Sequence, residues 1–175
     1  MGDYSNIAQE WLSREDEVCR EARLARLVWQ AQRFPPSQVL LYHGGVSTKW
    51  LFEEARYCFV YGQYLAAIAL GFAFVEQTLA AVLYGAGNDR AKRAKARDLF
   101  SEAVGQGLLS KEQVRLLHRA RKIRNSLVHF RAPTEPTKLE IRALMREEHP
   151  YETLEGDARN VLDAAFFVLA RVSMV

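Results

Sequence analysis

Cysteine is scarce in this chain: Cys19 and Cys58 are the only two, and no CxxC pair occurs. That argues against a disulfide scaffold and a thiolate zinc site, and it suits a reducing cytosol. Charge of one sign is equally short. Lys and Arg total 24 against 21 Asp and Glu, a net +3, so the molecule as a whole is no polycation. Any contact with nucleic acid must come from a local patch. Proline is confined to positions 35, 36, 133, 136 and 150, leaving Ser37 to Ala132 without one. Such a gap is helical territory, since proline is the residue least compatible with helix interiors. No segment alternates as a strand would, and no repeat or low-complexity tract is present. The start, Met-Gly-Asp-Tyr-Ser-Asn, has no apolar run of signal-peptide type, and Asn6 stands where a myristoylation signal wants Ser or Thr. Neither secretion nor lipid anchoring is expected.

What is present is a folding composition. With 175 residues, 49% hydrophobic and 26% charged, the chain is long enough for one domain with a real core and too short for two ordinary ones. Residues 1–38 read as an N-terminal helix and linker packed on or beside a helical domain spanning 39–175. The stretch Tyr57 to Val75 carries no charge and is long enough to cross a bilayer. Gln63, two glycines, several alanines and the following Glu76 favour buried helices of a membrane-free protein instead.

Two helix seams organise the middle of the chain. Leu65, Ile68, Phe72, Val75, Leu79 and Val82 follow spacings of 3, 4, 3, 4 and 3, ending near Gly85-Ala-Gly87. Leu116, Ala120, Ile123, Leu127 and Phe130 follow 4, 3, 4 and 3, with Ser110 and Gln113 placed as a capping box. Around them the pattern predicts a first helix from Asn6 to Arg33 closed by Phe34-Pro-Pro, then a loop through His43-Gly-Gly45. A helix from Thr48 to Val60 follows, and a basic helix from Arg90 to Val104. A short charged helix ends at His149-Pro150, and a last helix runs from Thr153 to Val172. Its face carries Val161, Leu162, Ala165, Phe166, Leu169 and Val172. The fold class expected is all-α, a bundle of four to five core helices with an additional N-terminal helix. Trp11 and Trp29, with Leu12, Val18, Leu24 and Leu27, read as packing residues or a partner surface.

The chemistry-bearing string is Arg121-Lys-Ile-Arg-Asn-Ser-Leu-Val-His129-Phe. With Leu116 taken as zero at 100° per residue, Asn125 lies near 180°, His129 near 220° and Arg124 near 80°. Asn125 and His129 are four apart and can touch, whereas Arg124 diverges from His129 on an ideal helix. A second chain, a bend or the reach of the arginine must close the gap. Val114 and Val128 are expected as apolar surface beside the polar pair. His118 falls on the Asn125 face, and His43 is a loop residue without an evident partner. The cluster Arg90, Lys92, Arg93, Lys95 and Arg97 gathers five cations in eight residues, enough for several phosphates or simply a solvated helix face.

The pattern Arg-Asn, three residues, then His, in a late helix of a small all-α bundle, resembles the signature of the HEPN superfamily (higher eukaryotes and prokaryotes nucleotide-binding). Tyr64-Leu-Ala-Ala-Ile-Ala-Leu, Val75-Glu76-Gln-Thr-Leu, a Gly-rich break, Gly107-Leu-Leu-Ser and the motif helix run in the same order, and the resemblance covers roughly residues 48–172. It implies a metal-independent, cofactor-free endoribonuclease, a cytoplasmic homodimer whose two motif helices line one cleft, in a prokaryotic defence or toxin–antitoxin setting with an antitoxin or defence-system partner and no membrane role. In that reading His129 exchanges the protons of the ribose 2′-OH and the 5′-oxygen, Arg124 stabilises the phosphorane, and Asn125 orients His129 or a phosphate oxygen. Products would be a 2′,3′-cyclic phosphate and a 5′-OH, and DNA would not be cut. Glu76 matches the acidic position of the neighbouring helix, where it either orients Arg124 or pairs with a structural arginine. Arg121, Lys122, Arg131, Arg93 and Arg97 would hold RNA. Arg131 departs from a toxin subgroup that has tyrosine there as a modification site, which puts that control in doubt. The rival readings are a noncatalytic HEPN module that binds nucleotide, RNA or a partner protein, and a plain helical adaptor.

Overall fold

Gly62 makes the turn on which the central helices depend. Three residues separate α2 (Val46–Val60) from α3 (Tyr64–Gly85), and Gly62 takes φ 75°, a left-handed conformation that costs glycine little. Its N–H donates to the Phe59 carbonyl at 3.1 Å, and the Gln63 N–H to the Cys58 carbonyl at 2.8 Å. The Tyr151 hydroxyl donates to the Gly62 carbonyl at 2.8 Å, and a Cβ on residue 62 would strike that hydroxyl.

The computed structural model describes residues 4–34 and 40–173. Before the α2–α3 hairpin comes α1 (Tyr4–Ala31). After it come a 3₁₀ turn (Asp89–Arg93), α4 (Ala96–Gly105), α5 (Lys111–Val128), α6 (Leu139–Arg146) and α7 (Pro150–Ser173). The protein is all-α, and no strand occurs among the described residues. The expected Pro35–Pro36 stop and the 38/39 boundary lie outside the described residues.

The core forms where α3 meets α2 and α7, with α4 and α5 closing its other side. Phe52, Phe59, Tyr64, Phe72, Phe74, Phe100, Leu117, Leu162 and Leu169 are fully buried. α3 is long and apolar enough to span a membrane by length and composition, yet its buried positions face α2, α4, α5 and α7. Ile68, Phe72, Val75 and Leu79 are buried as the seam predicts, whereas Leu65, in the first turn, is 57% exposed. The predicted face of α7 is buried throughout. Pro150 opens that helix rather than preceding it, and His149 Nδ1 accepts from the Tyr151 N–H at 3.2 Å as a cap.

Three expectations are corrected. The basic segment is not one helix: Ala94 and Lys95 are extended between the 3₁₀ turn and α4. Ala91 and Ala96 are both buried, and five residues on one helix would place them about 140° apart. The break lets both reach the core. In α5 the buried stripe is Val114, Leu117, Ala120 and Ile123, a face rotated by about 70° from the expected seam. Val114 is therefore core rather than exposed surface. α5 also stops at Val128, so Phe130 is off the seam and 92% exposed.

α1 divides in two. From Tyr4 to Val18 every residue is exposed, including Trp11 at 74%. Farther on, Trp29 packs on Phe59 at 5.0 Å between ring centroids, and Gln30 Nε2 donates to the Arg56 carbonyl at 2.9 Å. Trp29 packs against the core as expected; Trp11, Leu12, Val18, Leu24 and Leu27 do not.

Candidate functional site

The rotation of α5 decides where its polar residues go. Arg124 lies near the middle of the buried face rather than on its margin, so its guanidinium is driven against α3. Its Nη2 donates to Glu76 Oε2 at 2.9 Å, and its Cζ lies 4.7 Å from the Phe72 ring centroid. Both side chains are about three-quarters buried, with 25% of Arg124 and 29% of Glu76 exposed. The contact places a charge pair on an aromatic floor, where an arginine is held in one orientation.

The capping box fixes the other end of the helix. Ser110 Oγ accepts from the Gln113 N–H at 3.2 Å, and Gln113 Oε1 accepts from the Ser110 N–H at 2.8 Å. At the carboxyl end His129 leaves the helix with φ −109° and ψ 141°. This extended exit is the bend that joins the motif. Arg124, Asn125 and His129 line one cavity of about 360 Å³ within a single chain, together with Glu76, Lys95, Ala96, Arg97 and Arg121. The expectation that Asn125 points away from the core changes accordingly: it is half-buried at the cavity wall.

The cavity is cationic. Lys95, Arg97, Arg121 and Arg124 face one carboxylate, Glu76, which is already engaged by Arg124. Arg121 Nε is buried without a hydrogen-bond partner. Such a site favours an anion able to accept several hydrogen bonds at once.

Of the residues expected to hold RNA, Arg97 and Arg121 line this cavity, while Lys122, Arg131 and Arg93 do not. Arg131 is engaged in the fold: Nη1 donates to Glu135 Oε1 at 2.9 Å and Nη2 to the Asn125 carbonyl at 3.5 Å. Lys122 and Arg93 are exposed. His118 lies outside the cavity, edge-on to Phe100 at 5.2 Å. Partial burial, and then Arg121, Arg97 and Lys122, hold its imidazole below the ordinary value. His43 does have a neighbour, since its Nε2 lies 3.3 Å from the Val172 carbonyl.

Lys95 and Ala96 are the lining residues that the motif did not single out as its own. Ala91 and Ala96 are both buried, which requires the break at Ala94 and Lys95; Lys95 itself stays exposed at the cavity rim. A second cavity, of about 310 Å³ between α1 and α2, is lined by Leu27, Gln30, Glu53, Arg56, Tyr57, Val60 and Tyr61 and has no imidazole. Among the described residues no cluster of His, Cys, Asp and Glu is arranged to hold a metal ion. Neither a protein-family model nor a curated protein nor a solved structure matches this chain.

Proposed function

We propose that this protein is a HEPN-type endoribonuclease, cytoplasmic and homodimeric, that cuts RNA without a metal to leave a 2′,3′-cyclic phosphate and a 5′-OH. The observation that carries the proposal is the meeting of an imidazole, an amide and several arginines in one cavity, around Arg124, Asn125 and His129.

The chemistry follows from the side chains. His129, exposed at the cavity edge, takes the proton of a ribose 2′-OH, and the 2′-oxygen attacks the adjacent phosphorus. As that P–O bond forms, charge grows on the non-bridging oxygens, where Arg124 acts as donor. The P–O5′ bond then breaks, and the 5′-oxygen receives a proton. Asn125 holds the imidazole or a phosphate oxygen in place. Because Arg124 and His129 share a cavity in one chain, pairing of subunits is not needed to gather them. Its role in this proposal is to bring a second imidazole for the second proton transfer. A defence or toxin–antitoxin setting with a neutralising partner follows from the resemblance alone.

One observation favours a second reading, a noncatalytic HEPN module that binds anions. Arg124 is engaged by Glu76 and Phe72, which suits a structural arginine. Incubation of the purified protein with mixed RNA in EDTA separates the two. Cleavage to cyclic-phosphate ends, lost in His129→Ala and absent on DNA, is the expected result. Inertness of the dimeric wild type favours the binding module.

A further inference from the structure

The cavity is lined by more than the motif. α4 begins at it, and Lys95, Ala96 and Arg97 form part of its wall. The side chain of Lys95 does not cap the helix. The N–H groups of Ala96 and Arg97 have no acceptor among the described residues, and such leading N–H groups carry the positive end of the helix dipole. Beside them stand three cations, Lys95, Arg97 and Arg121, with no ion-pair partner among the described residues. The cavity carboxylate is taken by Arg124, and Asp98 of the first turn lines a different groove with Asn88, Arg90 and Glu102. Arg121 adds a buried, unpaired Nε. Lys95 and Arg97 stand exposed at the mouth of the cavity, free to turn toward an anion, and only the Arg121 Nε is buried without an acceptor, which is costly until one arrives.

We propose that Lys95, Arg97, Arg121 and the amino end of α4 form a phosphate subsite separate from the group that His129 acts on, filled by a neighbouring internucleotide phosphate of the bound strand. The identity of that phosphate rests on the ribonuclease reading; the anion site does not. Four donor groups of this kind match the oxygens of a phosphate, as at other helix amino ends. His118 provides an internal reporter. Arg97 and Arg121 both depress its imidazole, so an anion bound between them neutralises part of that field and raises its pKa.

The test uses the full chain and inorganic phosphate, followed by NMR of the His118 ring and of the arginine side chains at constant ionic strength. Saturable shifts at millimolar phosphate, with the His118 midpoint moving upward, are expected. Lys95→Ala combined with Arg97→Ala weakens that binding by roughly tenfold or more, while Lys92→Ala, which removes an exposed cation outside the cavity, leaves it intact. No saturation by 50 mM phosphate (a ceiling of order a weak millimolar site), or equal binding by the double variant, overturns the subsite. Free nucleotide is separated from strand by a second arm: a trinucleotide carrying a flanking phosphate binds more tightly than a mononucleotide, and the double variant erases that difference. Equal affinity for both overturns its assignment to an internucleotide phosphate. Absence of RNA cleavage alongside intact phosphate binding would sink the nuclease reading and leave the subsite standing.

Discussion

Arg124 donates to Glu76 across 48 residues of chain while its guanidinium lies over the Phe72 ring, so the central arginine of the cavity is also part of the core. The pair is only a quarter exposed, and its geometry constrains the side chain more than an ion pair at the surface would.

Glu76→Gln keeps the shape and removes the charge. RNA cleavage falls by about 10- to 100-fold, as for loss of a positioning contact, with a stability cost of about 1 kcal/mol. Single-turnover rates and urea unfolding on the same preparation measure both. A variant with an unchanged rate would mean that the carboxylate does not position Arg124.

A second ion pair is structural. Arg142 on α6 makes a bidentate contact with Asp157 on α7, at 2.9 and 2.5 Å, and the Asp157 side chain is only 4% exposed. Asp157→Ala strands a partly buried guanidinium and costs about 3–5 kcal/mol. Replacing both, with Asp157→Leu and Arg142→Met, recovers most of that loss in urea unfolding.

His118 gives a pH dependence with a definite sign. Its imidazole is held low by burial and by Arg121, Arg97 and Lys122, so as pH falls below 6.5 the unfolded chain takes its proton first. Stability is fully present above that value, declines toward the lower folded pKa and is flat beneath it. Denaturation curves at pH 8 and pH 5.5 should show the decline, and His118→Phe, which keeps an aromatic edge toward Phe100, should reduce it.

The two tryptophans of α1 should behave oppositely. Trp29 packs on Phe59 and Phe166 and beneath Arg33 and Arg159; Trp29→Ala costs about 2–4 kcal/mol. Trp11 is 74% exposed, and Trp11→Ala changes stability by less than about 0.5 kcal/mol. Thermal unfolding of the two variants beside wild type decides this.

The helical architecture was legible because its signals were redundant. The α3 seam, the capping box at Ser110 and the apolar face of α7 each pointed to one answer, and on the α3 seam Leu65 is the exposed exception. The α5 face was harder. Leu116 and Leu127 compete with Val114 and Leu117 for the same helix, and periodicity alone does not say which stripe faces a partner. That ambiguity misplaced Arg124, Asn125 and Val114 together. The break at Ala94 and Lys95 was hidden by alanines that favour helix. The exit at His129 was hidden too, since no glycine or proline marks it before Pro133.

The exposed half of α1 has an electrical consequence. Between Tyr4 and Val18 four acidic residues outnumber a single arginine, and all of them stand in solvent. The remainder of the molecule therefore holds twice the positive charge that the overall figure suggests, and the chain is a dipole with its negative pole on one projecting rod. A polyanion approaching such a body is turned toward the bundle and away from that rod before contact, and added salt weakens the orientation along with the attraction.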